Sequence, residues 1–307
     1  MCALSLHNNG NQEEESRMSN PNNKVVITAA LTGGATRKDQ NPAVPYSKDE
    51  FIEEAVKCYE AGASILHIHV RNPDTGFATP DMEIITPVIE GIRAACPVNI
   101  NLSTAIMAGL KPEDRIRPVV ELKPEFASLN TGSMNFALFD YKSKDVLVEF
   151  LFDNTFATIK KFAKAMREAG TKPELEVYDL GHMYNVKLLQ MKKVMDEPLH
   201  FNFVFGVAGG IHFRVDHLTS FINLLPEGST WHTCGVGPAQ FPLAMMAAAL
   251  GGHIRVGLED NIYIKGKELA KGSWEQVKKA VVIAEQADRE PATPEEARQI
   301  LNCPARG

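Results

Sequence analysis

The sequence has few cysteines, and their spacing does not build a site. There are five among 307 residues, an odd number, and no two of them form a CxxC pair. This usage excludes a disulfide framework and a thiolate zinc site, and it is typical of a protein from a reducing cytoplasm, which is the expected location. The residues concerned are Cys2, Cys58, Cys96, Cys234 and Cys303.

Long hydrophobic runs and clusters of basic residues are also missing. The longest weakly polar stretch, residues 241–252, is far shorter than the ~20 apolar residues that a membrane-spanning helix needs. The N-terminus has no basic-then-apolar signal pattern, so we expect no export. With 32 basic and 38 acidic residues, the net charge is −6 and no Lys/Arg-rich face is available for nucleic acid or a membrane surface. A small-molecule ligand is the expected partner.

Hydrophobic periodicity organises the chain after a polar leader. Residues 1–23 are rich in Asn, Glu and Ser without periodic apolar positions, which predicts a flexible leader. From residue 24 onward, short β-rich runs alternate with longer amphipathic segments, the pattern of parallel strands joined by crossover helices. The predicted strands are residues 25–30, 64–70, 98–103, 126–129, 174–178, 200–205, 230–234 and 254–257.

The same periodicity predicts the helices between these strands. They cover residues 48–61, 80–95, 155–169, 182–195, 215–225, 241–250, 273–289 and 294–301. Eight βα units in about 280 residues fit a TIM (β/α)8 barrel, a single domain over residues 24–307, because no linker or composition shift divides the chain. An open doubly wound sheet is the alternative. In a barrel, the functional residues are expected at the C-terminal ends of the strands.

The first candidate for chemistry is the HIH segment at the end of the second predicted strand. Side chains at i and i+2 of a strand point to one face, so His67 and His69 are expected to project inward. Leu66 and Ile68 then pack against helices. Two imidazoles placed in this way can hold one divalent metal ion. The alternative, one hydrogen-bonded core histidine and one surface histidine, is less consistent with the turn-rich loop that follows.

The eighth predicted strand and its exit carry a second polar set. Arg255, Gly257 and Glu259 alternate onto one face. A closed barrel places this strand beside the first, with the second strand one further away, so Glu259 can reach a metal held by His67 and His69. Two histidines and one carboxylate suit zinc or another transition metal.

An arginine on the inner face of a barrel requires an anionic partner. For Arg255, that partner is expected to be Asp260 or a bound carboxylate. Glu176 on the fifth strand would in turn need a partner such as Arg255. Asp179, at the exit of the same strand, is placed like a functional loop residue. Glu176 and Asp179 are alternatives for a further acid that acts here.

Hydroxyl groups and glycines follow other strands. Ser103 and Thr104 can either bind a substrate carboxylate or cap the next helix, and residues 130–135 offer a similar set. The glycine-rich turns at residues 206–210 and 234–238 permit a phosphate-bearing ligand, although tight turns alone also explain them.

Together these segments resemble the β-keto acid cleavage enzyme family, over roughly residues 24–301. The resemblance is carried by residues 27–30, 67–71, 102–104, 128–136, 173–178, 206–210 and 251–261. It implies a TIM barrel, usually a homotetramer, with one zinc or other divalent ion in each active site. It also implies a reaction in which a β-keto acid and acetyl-CoA give acetoacetate and an acyl-CoA.

The resemblance further implies roles for individual residues. It implies that His67, His69 and Glu259 bind the metal. Asp260 and Arg255 would handle the proton, with Asp179 in support of that pair. The substrate contacts would be Ser103, Thr104, Ser133 and Asn135. Our hypothesis is that Asp260 accepts the substrate C2 proton, either through Arg255 or with its assistance.

One departure from the family pattern bears on the substrate. Where the aminohexanoate-cleaving members carry a Glu that pairs with the substrate amine, this sequence has Ala35. A methyl group cannot neutralise an ammonium group, so we expect a substrate tail without an amine. Arg37 nearby leaves an anionic tail open. A metal-dependent aldolase or lyase that needs no CoA and a non-catalytic ligand-binding barrel are the alternative functions.

Overall fold

The fold is a closed barrel of eight parallel strands, which confirms the predicted fold class. The computed structural model describes residues 23–140 and 142–304, so the predicted leader lies outside the described residues except for Asn23. The barrel strands β1 to β8 are Ile27–Thr32, Ile65–Ile68, Asn99–Leu102, Phe126–Asn130, Lys172–Val177, His200–Phe205, Thr230–Gly235 and His253–Val256. β8 pairs with β1, with Arg255 opposite Thr28, and this pairing closes the barrel.

Helices follow the strands on the outside of the barrel. The helices α1 to α9 are Lys48–Glu60, Met82–Ala95, Pro112–Leu122, Phe156–Ala169, Leu180–Met191, Val215–Asn223, Gln240–Ala249, Ser273–Gln286 and Pro294–Ile300. Their ends follow local chemistry: Ser47 and Glu50 form a capping box at the start of α1. Gly170, with a positive φ of 71°, ends α4 in the left-handed conformation that glycine adopts without strain.

The two faces of the barrel strands have opposite character. On the outer face, Leu66 and Ile68 of β2 belong to one buried apolar cluster with Phe51 of α1 and Ile89 of α2. Burying a side chain of this size stabilises the fold by about 1.5–3 kcal/mol. The buried residues also include a polar set from the barrel strands: Thr28, His67, Asn101, Ser128, Glu174, Glu176, Asn202, His232 and Arg255. The interior is therefore built for polar chemistry rather than for apolar packing.

The two largest elements that were not predicted are a helix and a hairpin. α3 begins at Pro112 and contains Pro118, and a proline within a helical pattern indicates a break. An antiparallel hairpin, Met134–Asp140 with Asp145–Phe152, is inserted between β4 and α4. Most of its side chains are exposed or half-buried. Because neither face is buried, the sequence lacks the alternation of apolar and polar residues by which a strand is recognised. Asn135, which was expected in a loop, lies in the first strand of this hairpin.

Both ends of the described chain lie together. Lys24–Val25 pairs in parallel with Glu290–Pro291, and Ala297 of α9 shares a buried cluster with Val26. A small antiparallel pair, Tyr263–Lys265 with Glu268–Leu269, follows β8. Within residues 23–140 and 142–304, no helix combines the length and apolarity needed to cross a membrane.

Candidate metal centre and active site

Three predicted ligands converge at the C-terminal mouth of the barrel. Oε1 of Glu259 lies 3.5 Å from Nε2 of His67 and 3.5 Å from Nε2 of His69. The two imidazole rings are 5.2 Å apart between centroids. The structure therefore brings together β2 and the exit of β8, as predicted. That these three residues bind a metal stays a prediction.

The donor set fits a divalent metal ion. A separation of 3.5 Å is too long for a good hydrogen bond, but two ligands of one tetrahedral zinc ion stand roughly 3.3 Å apart. Oε2 of Glu259 and Nδ1 of both His67 and His69 are buried without a hydrogen-bond partner among the described residues. Burial lowers the pKa of His67 well below its usual range, which keeps the ring in the neutral form that metals bind.

Glu259 is ionised despite its burial. Burial alone would raise the pKa of this carboxyl group, but the charged guanidinium of Arg255, which donates to it at 2.8 Å, opposes that rise, and the pKa lies well below its usual range. Its carboxylate is therefore available as an anionic ligand at neutral pH.

Arg255 joins the predicted metal ligand to a second carboxylate. Its Nε donates to Oδ2 of Asp260 and its Nη2 donates to Oδ1 of Asp260, each at a distance of 2.9 Å. Nη2 also donates to Oε1 of Glu259 at 2.8 Å, and the Cys234 thiol donates to Oδ1 of Asp260 at 3.3 Å. Burial alone would lower the pKa of Arg255, but Asp260 and its other neighbours raise it well above its usual range. Arg255 is thus a fixed cation whose partner is Asp260, one of the two partners predicted.

Glu176 faces the same interior, and no arginine among the described residues forms an ion pair with it. Its oxygens lie 3.4 Å from the Tyr178 hydroxyl and 3.5 Å from Nδ2 of Asn202. Burial raises the pKa of Glu176. No ion pair between Arg255 and Glu176 is found among the described residues, since Nε and Nη2 of the guanidinium bind Asp260 and Glu259. The charge of Arg255 still opposes the rise in the pKa of Glu176.

Asp179 caps a helix, and no contact with the Arg255–Asp260 pair that it was predicted to support is found among the described residues. It is exposed, and its carboxylate accepts a hydrogen bond from the Gly181 N–H at 3.0 Å as the N-cap of α5. No hydrogen bond or ion pair between Asp179 and Arg255 or Asp260 is found in the described part of the chain. The structure therefore does not place Asp179 in support of that pair.

The loop after β3 presents one available hydroxyl. The Thr104 hydroxyl donates to the Ser128 carbonyl oxygen at 2.8 Å and is satisfied there. Ser103 Oγ accepts a hydrogen bond from the Ala105 N–H at 3.1 Å, which leaves its own proton for a ligand. Of these two predicted substrate contacts, Ser103 is the better placed to donate.

The loop after β4 leads into the hairpin. Ser133 is exposed, and its Oγ accepts a hydrogen bond from the Asn154 N–H at 2.8 Å. Asn135 is exposed as well, and its carbonyl oxygen would lie 1.8 Å from a Cβ added at Gly209. This close approach requires glycine in the turn after β6. A phosphate-binding role for residues 206–210 stays a prediction.

Gly33 and Arg71, two residues that position the centre, were not predicted. Gly33 follows β1, and a Cβ added there would lie 2.4 Å from Cγ of Glu259. Arg71 is 1% exposed, and its guanidinium donates to the carbonyl oxygens of Gly33, Thr36 and Gly76. Neither residue carries a local sequence signal for this role, because each acts through contacts with distant parts of the chain.

Gly33→Ala is expected to weaken metal binding by about tenfold or more, because the new methyl group must displace the Glu259 side chain. The matched control is Gly34→Ala, since a Cβ at Gly34 meets no atom within 4 Å. The measurement is the metal retained by each variant during titration with a chelator. Equal retention by the two variants would show that Gly33 does not position Glu259.

A closed (β/α)8 barrel with these side chains at its mouth is the architecture of a TIM-barrel enzyme. The model of the beta-keto acid cleavage enzyme family matches residues 24–303. The 3-keto-5-aminohexanoate cleavage enzyme of Fusobacterium nucleatum is 44% identical over 280 residues, covering 91% of this chain and 98% of that protein. The 3,5-dioxohexanoate:acetyl-CoA acetone transferase of Paraburkholderia graminis is 33% identical over 295 residues, covering 91% of this chain and 95% of that protein. The chain belongs to the β-keto acid cleavage enzyme family.

A solved structure independently shares the fold. The apo structure of ObcA has a TM-score of 0.70 at 19% identity, and the match covers 86% of this chain and 66% of that chain. At this level of identity the likeness supports the barrel and nothing finer.

Proposed function

We propose that this chain transfers the acyl group of a β-keto acid to CoA, with acetyl-CoA as co-substrate and acetoacetate as the second product. Membership of its family makes it an enzyme that cleaves β-keto acids. Acetyl-CoA appears in the name of the Paraburkholderia graminis relative, which supports this co-substrate. The observation that carries the proposal is the convergence of His67, His69 and Glu259 beside the Arg255–Asp260 pair.

The proposed metal is zinc or another divalent transition metal, held by His67, His69 and Glu259. Two imidazoles and one carboxylate, with a coordination position left for substrate, are typical of such catalytic centres. When bound, the ion would act as a Lewis acid that makes the C2 proton of a 3-keto acid more acidic.

Asp260 is the proposed base. Its two oxygens are held by Arg255 and Cys234, so the carboxylate is oriented before substrate arrives. Burial raises its pKa against the opposing effect of Arg255, which makes it a stronger base than an exposed aspartate. Nη1 of Arg255 has no partner among the described residues and can bind substrate oxygen. Ser103 would hold the substrate carboxylate.

The bond changes follow from one proton transfer to Asp260. The C2 carbanion attacks the acetyl-CoA carbonyl, and the CoA thiolate leaves. The thiolate then attacks the C3 carbonyl, the C2–C3 bond breaks, and the acyl-CoA is released. The acetoacetate carbanion regains its proton from Asp260, so the base returns to its starting state.

The rival reaction is cleavage by an aldolase or lyase that uses no CoA. Mass spectrometry of products formed with and without acetyl-CoA separates the two reactions. We expect an acyl-CoA and acetoacetate only when acetyl-CoA is present. Cleavage of the keto acid at the same rate in its absence would contradict the proposal.

The proposed substrate tail is uncharged. Ala35 offers no carboxylate to an amine, and Arg37 donates to Asp39 at 3.0 and 2.8 Å, so its charge is already paired. The pairing of Arg37 argues against the anionic tail that the sequence left open.

In a panel of 3-keto acids assayed with acetyl-CoA, an alkyl or hydroxyalkyl tail is expected to give a kcat/KM about tenfold above that of the 5-amino compound. The factor is modest because Ala35 is exposed in the chain, where water screens an unpaired charge. Ala35→Glu is the matched variant and should raise the relative kcat/KM for the amine. A clear preference of the unaltered enzyme for the amine would overturn this specificity.

The proposed assembly is a homotetramer in the cytoplasm. The hairpin exposes Leu147 by 64% and Leu151 by 67%, and a contact between subunits would bury such apolar side chains. Cys58, Cys96 and Cys234 are free and buried, as expected for a reducing compartment. Light scattering should give four times the 33.8 kDa chain mass, and a single-chain mass would contradict the assembly.

A further inference from the structure

A second cluster of two histidines and one glutamate lies inside the barrel, separate from the centre at the mouth. Glu174 of β5, His200 of β6 and His232 of β7 are 0%, 1% and 0% exposed. Their ligand atoms all lie within 4.8 Å of one another. The cluster has the same donor types as the centre at the mouth but shares no residue with it.

Strand register brings the three residues together. Glu174 lies opposite His200 across the pair β5 and β6. His200 lies opposite Thr230 across the pair β6 and β7, and His232 is two residues further along β7 on the same face. Glu174 is also two residues before Glu176, which places the cluster one layer of side chains deeper in the barrel than Glu176.

Several atoms of this cluster lack partners although they are fully buried. Among the described residues, no hydrogen bond reaches Oε1 of Glu174, Nε2 of His200 or either ring nitrogen of His232. Buried polar atoms without protein partners destabilise a fold, so four in one place indicate a site that binds a ligand.

Neighbouring side chains orient the cluster. Nδ1 of His200 lies 2.9 Å from Oγ1 of Thr230, a contact that leaves Nε2 as the ring nitrogen available to a metal ion. Nδ2 of Asn101 donates to Oε2 of Glu174 at 2.8 Å, and Oδ1 of the same amide is itself unpartnered. Such contacts to the far side of a ligand are typical of metal sites.

The separation between Nε2 of His232 and Oε2 of Glu174 is 3.6 Å. This is too long for a hydrogen bond and close to the roughly 3.3 Å between two ligands of one tetrahedral zinc ion. We propose that Glu174, His200 and His232 bind a second divalent cation of the zinc type, with Oδ1 of Asn101 or one water as the remaining donor. The site is closed to solvent, so its ion would connect β5, β6 and β7 and stabilise the barrel.

Glu174 has no fixed cation beside it among the described residues. Three buried carboxyl groups, those of Glu174, Glu176 and Asp260, share this interior with Arg255 and with the partly buried Glu259. The guanidinium is engaged by Glu259 and Asp260. Among the described residues, the ring of His232 is the only basic group within ion-pair distance of Glu174.

The test is the zinc content of the purified full-length chain, measured by mass spectrometry after supplementation and gel filtration. We expect two ions per chain in the unaltered protein, one in the double variant His67→Ala/His69→Ala, and one in His232→Gln. The matched control is His253→Gln, a buried histidine 6.4 Å from His200 between ring centroids that lies outside the cluster, and it should retain two ions.

Anomalous scattering from crystals of the unaltered protein at the zinc edge tests the site without any substitution. A second peak among Glu174, His200 and His232 supports the proposal. A single ion per chain that disappears in His67→Ala/His69→Ala overturns it, and so does an unchanged zinc content in His232→Gln. Either negative result would mean that the cluster binds no metal ion and is neutral, with water or hydrogen bonds among its members. The acyl-transfer assay tests the proposed function separately, because it does not depend on the zinc content of this cluster.

Discussion

Asp260→Asn is expected to lower turnover by a factor of about 10³ while the metal ion stays bound. The amide keeps the shape of the carboxylate and still offers an oxygen to Arg255, but it cannot accept the C2 proton. A positioned base contributes about 10²–10⁴-fold to a reaction of this kind. The measurement is kcat with a preferred keto acid, together with metal content and thermal stability of the same preparation.

Cys234→Ala is the control for this substitution. The thiol also contacts Asp260, at 3.3 Å, but it takes no part in the proposed proton transfer. Its loss should change kcat by less than about tenfold, because Arg255 alone still orients the carboxylate. If Asp260→Asn turned over at the unaltered rate with the metal bound, Asp260 would not be the base.

The centre at the mouth could be predicted from the sequence because each step followed from the periodicity of a strand or from the closure of the barrel. His67 and His69 share a face through the two-residue period of a strand, and the closure of a barrel brings β8 near β2. The strand order of a barrel was therefore enough to predict that Glu259 lies near the two histidines. In the structure its Oε1 lies 3.5 Å from Nε2 of each ring.

The partners of these side chains were harder to predict. Whether Arg255 binds Asp260 or Glu176 depends on rotamers and short distances that no periodicity encodes. Asp179 did carry a local signal, since an aspartate just before a helix is a common N-cap. Because the helix was predicted to start at residue 182 instead of Leu180, that signal was interpreted as a functional loop residue.

The deeper cluster shows a further limit of sequence reasoning. Glu174, His200 and His232 come from three strands. Glu174 lies in the family segment 173–178, but no motif connects it with either histidine. Only the register between β5, β6 and β7 places them together, and register in a parallel barrel depends on the packing of whole βα units. The hairpin after β4 was missed for a related reason, because its exposed strands lack a buried face.

His69→Ala is expected to lower the affinity for the catalytic ion by more than about 100-fold and to abolish turnover at ordinary metal concentrations. Even the side chains that only orient a ligand change metal affinity by about 10–100-fold, so removal of a ligand should exceed that range. Metal content after dialysis and kcat measured on the same sample check the expectation. A variant that bound its ion as tightly as the unaltered protein would remove His69 from the centre.

Addition of excess Zn²⁺ separates this defect from the loss of the base. Binding follows mass action, so a high metal concentration should refill the weakened site of His69→Ala and restore part of the turnover. The same addition should restore nothing to Asp260→Asn, in which the ion is already bound and the proton acceptor is missing. Opposite responses of these two neighbouring variants would assign metal binding to His69 and proton transfer to Asp260 in a single experiment.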